Sequence, residues 1–146
     1  MLVAHNCLVL VADGGTYTLY RNRGHGLAVE LETLVTENQK VPDTADLGTD
    51  RPGRSFSSSS SRRSNYQVPD YHQRAEDEFM KNAAALVTER LGKAADATLI
   101  IVAAPKSMSA LRKAFGEAVR SRITAEIAKD YAARPTADIE ELLVRS

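Results

Sequence analysis

Two uninterrupted apolar runs constrain the fold of this chain more than any other feature. They are CLVLVA at residues 7–12 and TLIIVAA at residues 98–104. A run of this length without polar alternation is typical of a strand that is buried on both faces. The first run ends at Asp13-Gly14-Gly15 and the second at Pro105, residues that favour a turn or end a strand. Both runs are therefore predicted to be central strands of a sheet.

Two further strands are predicted beside the first run. Residues 16–20 are rich in β-branched and aromatic side chains, which favours a hairpin with a turn at Gly14-Gly15. Residues 27–35 follow a second turn at Gly24-His25-Gly26 and alternate in polarity. The apolar face of this strand would hold Leu27, Val29 and Leu31, and the solvated face Glu30 and Glu32. The first three strands are therefore expected to form an antiparallel meander.

Helical patterns surround the second apolar run. Asp70 and Gln73 fit a capping box at the start of a helix whose apolar residues recur until Leu91. Ser107 is expected to cap a short helix after the run. The inward residues of this short helix are expected to be Met108, Leu111 and Phe115. The run is thus predicted to lie between two helices in the sequence.

A strand and a helix are predicted to complete the fold. Residues 122–128 alternate, with Ile123, Ala125 and Ile127 expected on one face. Thr136 is expected to cap a final helix with Ile139, Leu142 and Leu143 facing inward. The order β-β-β, loop, α-β-α-β-α predicts a single α/β domain over residues 1–146 with a mixed sheet. Three meander strands followed by alternating helices and strands are similar to the ribonuclease H-like architecture.

Residues from about 36 to 66 interrupt this pattern. They contain several glycines and prolines and five consecutive serines at 57–61. Burial of so few apolar groups does not offset the entropy lost on ordering, so the segment is predicted to be a mobile loop. A loop of this length inside one domain is uncommon and often functional.

Basic residues form the candidate binding site. They are Arg51, Arg54, Arg62 and Arg63 in the predicted loop, with Lys106 and Arg112 after the second apolar run. Lys and Arg side chains near the start of a helix favour phosphate groups. If the set has a function, it predicts a site for an anionic ligand or RNA. The preferred interpretation of these charges is a solvated surface beside a loop whose polar residues keep the protein soluble.

Composition limits the expected partners and cofactors. Nineteen basic residues balance nineteen acidic ones, so a surface that binds RNA has to be a local patch. The single cysteine, Cys7, excludes an internal disulfide and a cysteine-based zinc site within one chain. The histidines His5, His25 and His72 are not at metal-ligand spacing. We therefore expect no cofactor and no metal.

Hydropathy points to a cytoplasmic location. No apolar run approaches the roughly 20 residues that span a bilayer. The first residues also lack the charged and apolar regions of a signal peptide. A membrane partner is therefore not expected, and the oligomeric state is left open.

Asp13 supports an alternative function, that of a metal-dependent nuclease of ribonuclease H-like fold. Such nucleases have a metal-binding carboxylate at the end of a central strand, and Glu30 or Glu32 would supply a second one. Two-metal hydrolysis needs several convergent carboxylates. The second apolar run ends in Ala103-Ala104-Pro105 without an acid. The preferred prediction is therefore a non-enzymatic protein.

Four segments of the chain carry a resemblance to a known family. They are CLVLVADGGTYTLYR, Val102-Ala103-Ala104-Pro105-Lys106 with Leu111-Arg112, Glu126-Ile127-Ala128-Lys129-Asp130 with Pro135 and Ile139-Glu140, and Asp50-Arg51-Pro52-Gly53-Arg54. They resemble the bacterial host-attachment family, proteins required for attachment to host cells, which is similar to domains of bacterial release-factor-related proteins. The resemblance implies a binding or accessory module that contacts RNA, the ribosome or a protein partner. The Gly-Gly-Gln tripeptide that release factors use for peptidyl-tRNA hydrolysis is absent, so that activity is not expected.

Overall fold

Two parallel strands form the centre of the fold. The computed structural model describes residues 1–39 and 58–146, with residues 58–71 as backbone only. The elements in chain order are β1 (Leu8–Ala12), β2 (Thr16–Asn22), β3 (Leu31–Asn38), α1 (Ser58–Gly92), β4 (Leu99–Ala103), α2 (Pro105–Ala114), α3 (Glu117–Arg120), β5 (Ile123–Ile127) and α4 (Thr136–Arg145). The two apolar runs are β1 and β4, and they pair in parallel with Leu10 opposite Ile101. The prediction of two central strands is confirmed.

The sheet is mixed, as the sequence predicts. Its strand order is β3-β2-β1-β4-β5. The hairpin partners β1 and β2 are antiparallel, as are β2 and β3, whereas β4 and β5 continue the sheet in parallel with β1. The described elements thus form the predicted meander, followed by alternating helices and strands. They give an α/β fold.

Helices cover both faces of the sheet because β1 and β4 alternate their side chains between two apolar clusters. On one face the strands pack with α1 and α2, and the strand residues are Leu8, Leu10, Ala12, Leu99, Ile101 and Ala103. On the other face they pack with α4, and the strand residues are Val9, Val11, Ile100 and Val102. Every residue of both strands is buried. This double burial is the reason that neither strand shows polar alternation.

The third strand begins later than the alternation predicts. β3 starts at Leu31, and the side chain of Leu27 is 60% exposed. The fully buried Asn22 explains the difference, because its Oδ1 accepts hydrogen bonds from the backbone amides of Gly24 and Glu30, both at 3.0 Å. These bonds hold the residues before Leu31 in a turn instead of a ladder. The predicted strand at 27–35 is therefore wrong in its first half.

The long helix also begins elsewhere than predicted. It starts at Ser58 and continues through Asp70, so the capping box predicted at Asp70 is wrong. Its apolar spacing is confirmed, since Phe79, Ala83 and Val87 are buried. The predicted loop at about 36–66 overlaps β3 at its start and α1 at its end, and residues 40–57 lie outside the described part of the chain.

The ten-residue helices α2 and α4 are not capped by side chains, as the sequence predicts them to be. α2 follows Ala104 and α4 follows Pro135, and neither of these N-cap residues has a side-chain capping bond. Ser107 lies inside α2 because Pro105 occupies the first helical position, where its fixed φ and missing N–H are favourable. The predicted inward residues are confirmed as buried: Met108, Leu111, Phe115, Ile139, Leu142 and Leu143.

The last strand has a register shift that the alternation does not predict. Leu99 pairs with Ile123, but Ile100 pairs with Ala125, which leaves Thr124 without a partner in the ladder. Ile123 consequently packs with the cluster under α1 and α2, whereas Ala125 packs with the cluster under α4. The prediction that these two side chains share a face is wrong, because a bulge inverts the alternation.

We expect Ile101→Ala to lower the free energy of unfolding by about 2–5 kcal/mol, because it would leave a cavity in the centre of the sheet. Ile101 is fully buried in the cluster under α1 and α2. Glu30→Ala is the control, since the Glu30 side chain is exposed and should cost less than about 0.5 kcal/mol. Urea denaturation of both variants measures the difference. Equal losses would contradict the central position of β4.

Candidate functional site

Between β1 and β4 the connections that leave the strands run to opposite sides of the sheet. From its carboxyl end β1 turns back into β2, whereas β4 continues through α2 and α3 to β5 on the other side. The ends of the two strands are adjacent, since Ala12 pairs with Ala103. In open α/β sheets the crevice at such a point is the usual place for a ligand. The residues around the start of α2 are therefore the candidate functional site.

Asp13 follows β1 directly, at this end of the sheet. Its Oδ1 accepts hydrogen bonds from the backbone amides of Gly15 and Thr16, both at 2.8 Å. These bonds hold the tight turn of the β1–β2 hairpin, a role that Asp performs well because its short side chain reaches its own backbone. The carboxylate that the sequence marks as a metal ligand thus has a structural role.

Glu76 of α1 is a site residue that the sequence did not reveal. A Cβ built on Gly14 would lie 2.8 Å from Glu76 Cδ, so the acidic side chain lies directly against the hairpin turn. The glycine at position 14 permits this approach. In the sequence, only the two glycines after Asp13 mark this place. They indicate a turn, but they do not indicate that Glu76 packs against it.

The carboxylates predicted to assist Asp13 lie at the opposite end of the sheet. Glu32 pairs with Arg21, and Arg21 pairs with Leu8, at the start of β1. Asp13 follows the end of the same strand, which separates the two acids by roughly 15 Å along the strand direction. Glu32 instead forms an ion pair with Arg23 at 3.5 Å. Glu32 and its neighbour Glu30 therefore do not converge with Asp13, as the alternative nuclease function would require.

The start of α2 supplies hydrogen-bond donors to the crevice. Among the described residues, the backbone amides of Lys106 and Ser107 have no acceptor, and Ala104 provides no side-chain cap. Ser107 is 5% exposed, and its hydroxyl has no hydrogen-bond partner within the described ranges. Free amides at a helix start carry partial positive charge. This corner of the fold therefore favours a negatively charged or acceptor-rich group.

A groove of about 430 Å³ runs from this corner between α1 and α2. Its lining residues are Gln73, Asp77, Lys81, Lys106, Ser109, Ala110, Lys113 and Ala114. At one end it adjoins a small cavity of about 10 Å³ that Glu76 and Ser107 line, together with five residues of α1 and α2. The groove combines cations with a carboxylate, and Asp77 accepts a hydrogen bond from Gln73 Nε2 at 3.0 Å.

A second, wider groove lies on the other side of α2. It has a volume of about 720 Å³ and runs beside the edge strand β5. Arg112 lines this groove and donates two hydrogen bonds to Glu126 Oε1, from Nε at 2.9 Å and from Nη2 at 2.6 Å. The hydrogen bonds that Arg112 donates to Glu126, and then the negative charge of Glu126, raise the pKa of the Arg112 guanidinium. Arg112 is consequently engaged within the protein, although its side chain is exposed.

The six predicted site residues do not form one described cluster. Arg51 and Arg54 lie outside the described residues, and Arg62 and Arg63 belong to the backbone-only part of α1. Lys106 and Arg112 are both on α2 but line different grooves. Their assignment to an anionic ligand stays a prediction.

Lys113 joins the two grooves, because it lines both of them. The helix on which it lies carries three cations, Lys106, Arg112 and Lys113, and no acid. On the opposite face of the sheet α4 carries three acids, Asp138, Glu140 and Glu141, against one arginine. The balanced charge of the chain is thus unevenly distributed, with a local basic surface on α2.

The lone cysteine lies away from both grooves. Cys7 is 1% exposed and belongs to the apolar cluster under α4. Burial raises the pKa of the Cys7 thiol, which keeps it in its neutral form. It therefore acts as a small apolar side chain of the first apolar run.

These features define an α/β protein with a mixed sheet, a crevice at the point where its strand connections separate, and a basic helix beside that crevice. The model of the bacterial archaeo-eukaryotic release factor family 12 matches residues 6–143, and the chain belongs to this family. The match extends from the residue before Cys7 into α4. The predicted relation to release-factor-related proteins is confirmed. No curated protein sequence matches the chain.

The described ranges contain no group of three or more His, Cys, Asp or Glu side chains arranged to hold a metal ion. None of the helices in those ranges combines the length and the apolar character that crossing a bilayer requires.

We expect Asp13→Asn to change the free energy of unfolding by less than about 1 kcal/mol, because the Asn side-chain oxygen can accept the same two backbone amides. Asp13→Ala removes both bonds and should cost about 1–3 kcal/mol. Chemical denaturation at neutral pH compares the two variants. An equal loss in both would mean that the charge of Asp13, and not its position as an acceptor, stabilises the turn.

Proposed function

We propose that the chain is a non-enzymatic, cytoplasmic binding module related to translation factors, and that it contacts RNA or the ribosome through the α2 surface. The observation that carries this proposal is the charge of α2, three cations without an acid in a chain of zero net charge. Membership of a release-factor-related family supports the same class of partner.

Two lysines of α2 are suited to phosphate contacts. Lys106 and Lys113 are exposed, and neither forms an ion pair with another described residue. A free, hydrated lysine can neutralise a phosphate and release a counterion, which is the main source of affinity for nucleic acid. Arg112 is less available because Glu126 already holds it.

We propose in addition that the fold is ribonuclease H-like and that the protein has a role in host attachment. The strand order β3-β2-β1-β4-β5 supports the first, since a three-strand meander precedes parallel strands joined by helices. Host attachment follows from sequence resemblance and would involve a protein partner. The exposed edge of β5, beside the wider groove, supports such a partner as the second candidate.

The structural role of Asp13 supports the non-enzymatic proposal. We expect the protein with Mg²⁺ or Mn²⁺ to show no cleavage of RNA–DNA hybrids, single-stranded RNA or DNA above a mock purification. The reason is that Glu30 and Glu32, the partners suggested by the sequence, lie far from Asp13. Glu76 is near the turn after Asp13, but the described residues contain no group of three or more acids, histidines or cysteines arranged to hold a metal, whereas hydrolysis with metal ions needs converging carboxylates. Metal-dependent cleavage that disappears in the folded Asp13→Asn variant would overturn the proposal.

RNA binding is tested with fluorescently labelled total transfer RNA and ribosomal RNA fragments in an anisotropy titration at several salt concentrations. We expect Lys106→Glu/Lys113→Glu to weaken binding by at least about tenfold. We also expect the slope of log affinity against log salt to become shallower by about two, because two phosphate contacts are lost.

The matched control is Lys93→Glu/Arg145→Glu, which changes the net charge equally at two exposed cations away from α2. We expect it to weaken binding by less than about threefold. An equal effect of the two double variants, or no binding by the wild-type protein at about 0.15 M salt, where nonspecific complexes are already weak, would contradict the proposed surface.

A further inference from the structure

The hydroxyl of Ser107 is a polar group of the crevice that has no hydrogen-bond partner among the described residues. The residue as a whole is 5% exposed. A hydroxyl removed from water without a partner is unfavourable, so buried hydroxyls usually have one. Ser107 lines the small cavity of about 10 Å³, which has room for one water-sized group. An oxygen atom of a ligand would fill this cavity and accept a hydrogen bond from the hydroxyl.

The groups around Ser107 are donors suited to an oxyanion. The backbone amides of Lys106 and Ser107 have no acceptor among the described residues. They belong to the first turn of a ten-residue helix, where the dipole favours negative charge. Lys106 is also one of the residues that line the cavity, and its side chain brings a positive charge to the start of α2. Three hydrogen-bond donors and a cation thus belong to the first turn of α2, beside the cavity.

Two carboxylates limit which anion fits. Glu76 and Asp77 of α1 also line the small cavity. They would repel an isolated phosphate ion, but they accept hydrogen bonds from hydroxyl groups. In other α/β folds an acidic residue binds the ribose hydroxyls while the start of a helix binds the phosphate. A ligand that carries both an anion and neighbouring hydroxyls satisfies both sides of the crevice.

We propose that this crevice binds a ribose phosphate group, with the phosphate at Ser107 and Lys106 and a ribose hydroxyl at Asp77. The adjoining groove of about 430 Å³ lies within the range of volumes that hold a small organic ligand, and leaves space for a base. The inference rests on the RNA contact proposed above and names the part of RNA that is recognised. A free nucleotide and a nucleotide within a strand share this chemistry.

Titration with AMP, 2′,3′-dideoxy-AMP and a short single-stranded RNA tests the inference. Calorimetry gives the affinities, and the amide signals of Lys106 and Ser107 in a ¹⁵N-edited NMR spectrum locate the site. We expect AMP to shift both signals at saturation. We expect the dideoxy compound to bind about tenfold more weakly, because it lacks the hydroxyls that would bond to a carboxylate.

Substitutions at the phosphate end have matched controls. Ser107→Ala and Lys106→Ala should each weaken AMP binding by about tenfold, because each removes a charge-assisted hydrogen bond or ion pair. Ser107→Ala should leave the melting temperature equal or higher, since it removes an unpartnered hydroxyl. Ser121→Ala and Lys93→Ala change exposed residues near the amino ends of β5 and β4 and should leave AMP binding unchanged.

The outcomes separate this inference from the proposed function. Absence of any shift at Lys106 and Ser107 with AMP and the short RNA, while transfer RNA still binds, would overturn the ribose phosphate site alone. Equal affinity for AMP and its dideoxy analogue would also overturn it. AMP binding without RNA binding would overturn the proposed function and establish a mononucleotide site. Binding of both AMP and the short RNA, weakened by Lys106→Ala and Ser107→Ala, supports both proposals.

Discussion

The parallel pairing of β1 with β4 is the interaction on which the rest of the structure depends. It joins the first and second halves of the chain along the full length of both strands, from Leu8 opposite Leu99 to Ala12 opposite Ala103. Because every residue of the pair is buried, helices have to cover both faces of the sheet. The same pairing aligns the two carboxyl ends, so that the hairpin turn and the start of α2 face each other across the crevice. The candidate site is thus a direct result of strand register.

Patterns within a short segment were sufficient to predict most of the fold, whereas features that depend on distant contacts were not. The apolar runs, the turn after Asp13 and the inward faces of the helices are local, and the structure confirms them. The start of β3 depends on Asn22, whose amide group also donates to the carbonyls of Val3 and Ala4. The bulge at Thr124 likewise arises from pairing with β4. Neither is visible in the spacing of apolar residues.

The site was only partly predictable, for two physical reasons. Residues six positions apart on a helix lie about 120° apart around its axis, so Lys106 and Arg112 belong to different grooves. Residues seven apart share a face, and Lys113 indeed lines the groove of Lys106. The sequence around Glu76 and Ser107 does not mark them as site residues. Glu76 reaches the site from α1, which is distant in sequence, and Ser107 has the sequence context of a helix cap. Tertiary packing alone brings them together.

The uneven charge of the two helical layers has a consequence for how the molecule meets a partner. α2 has a formal charge of +3 and α4 of −2, and the sheet separates them. These two helices therefore contribute an electric dipole moment across the sheet, although the net charge of the chain is zero. The field of a polyanion would rotate such a molecule during the approach, so that α2 leads and α4 trails before any contact forms. Salt at physiological concentration would confine this orienting effect to about the last 8 Å of the approach.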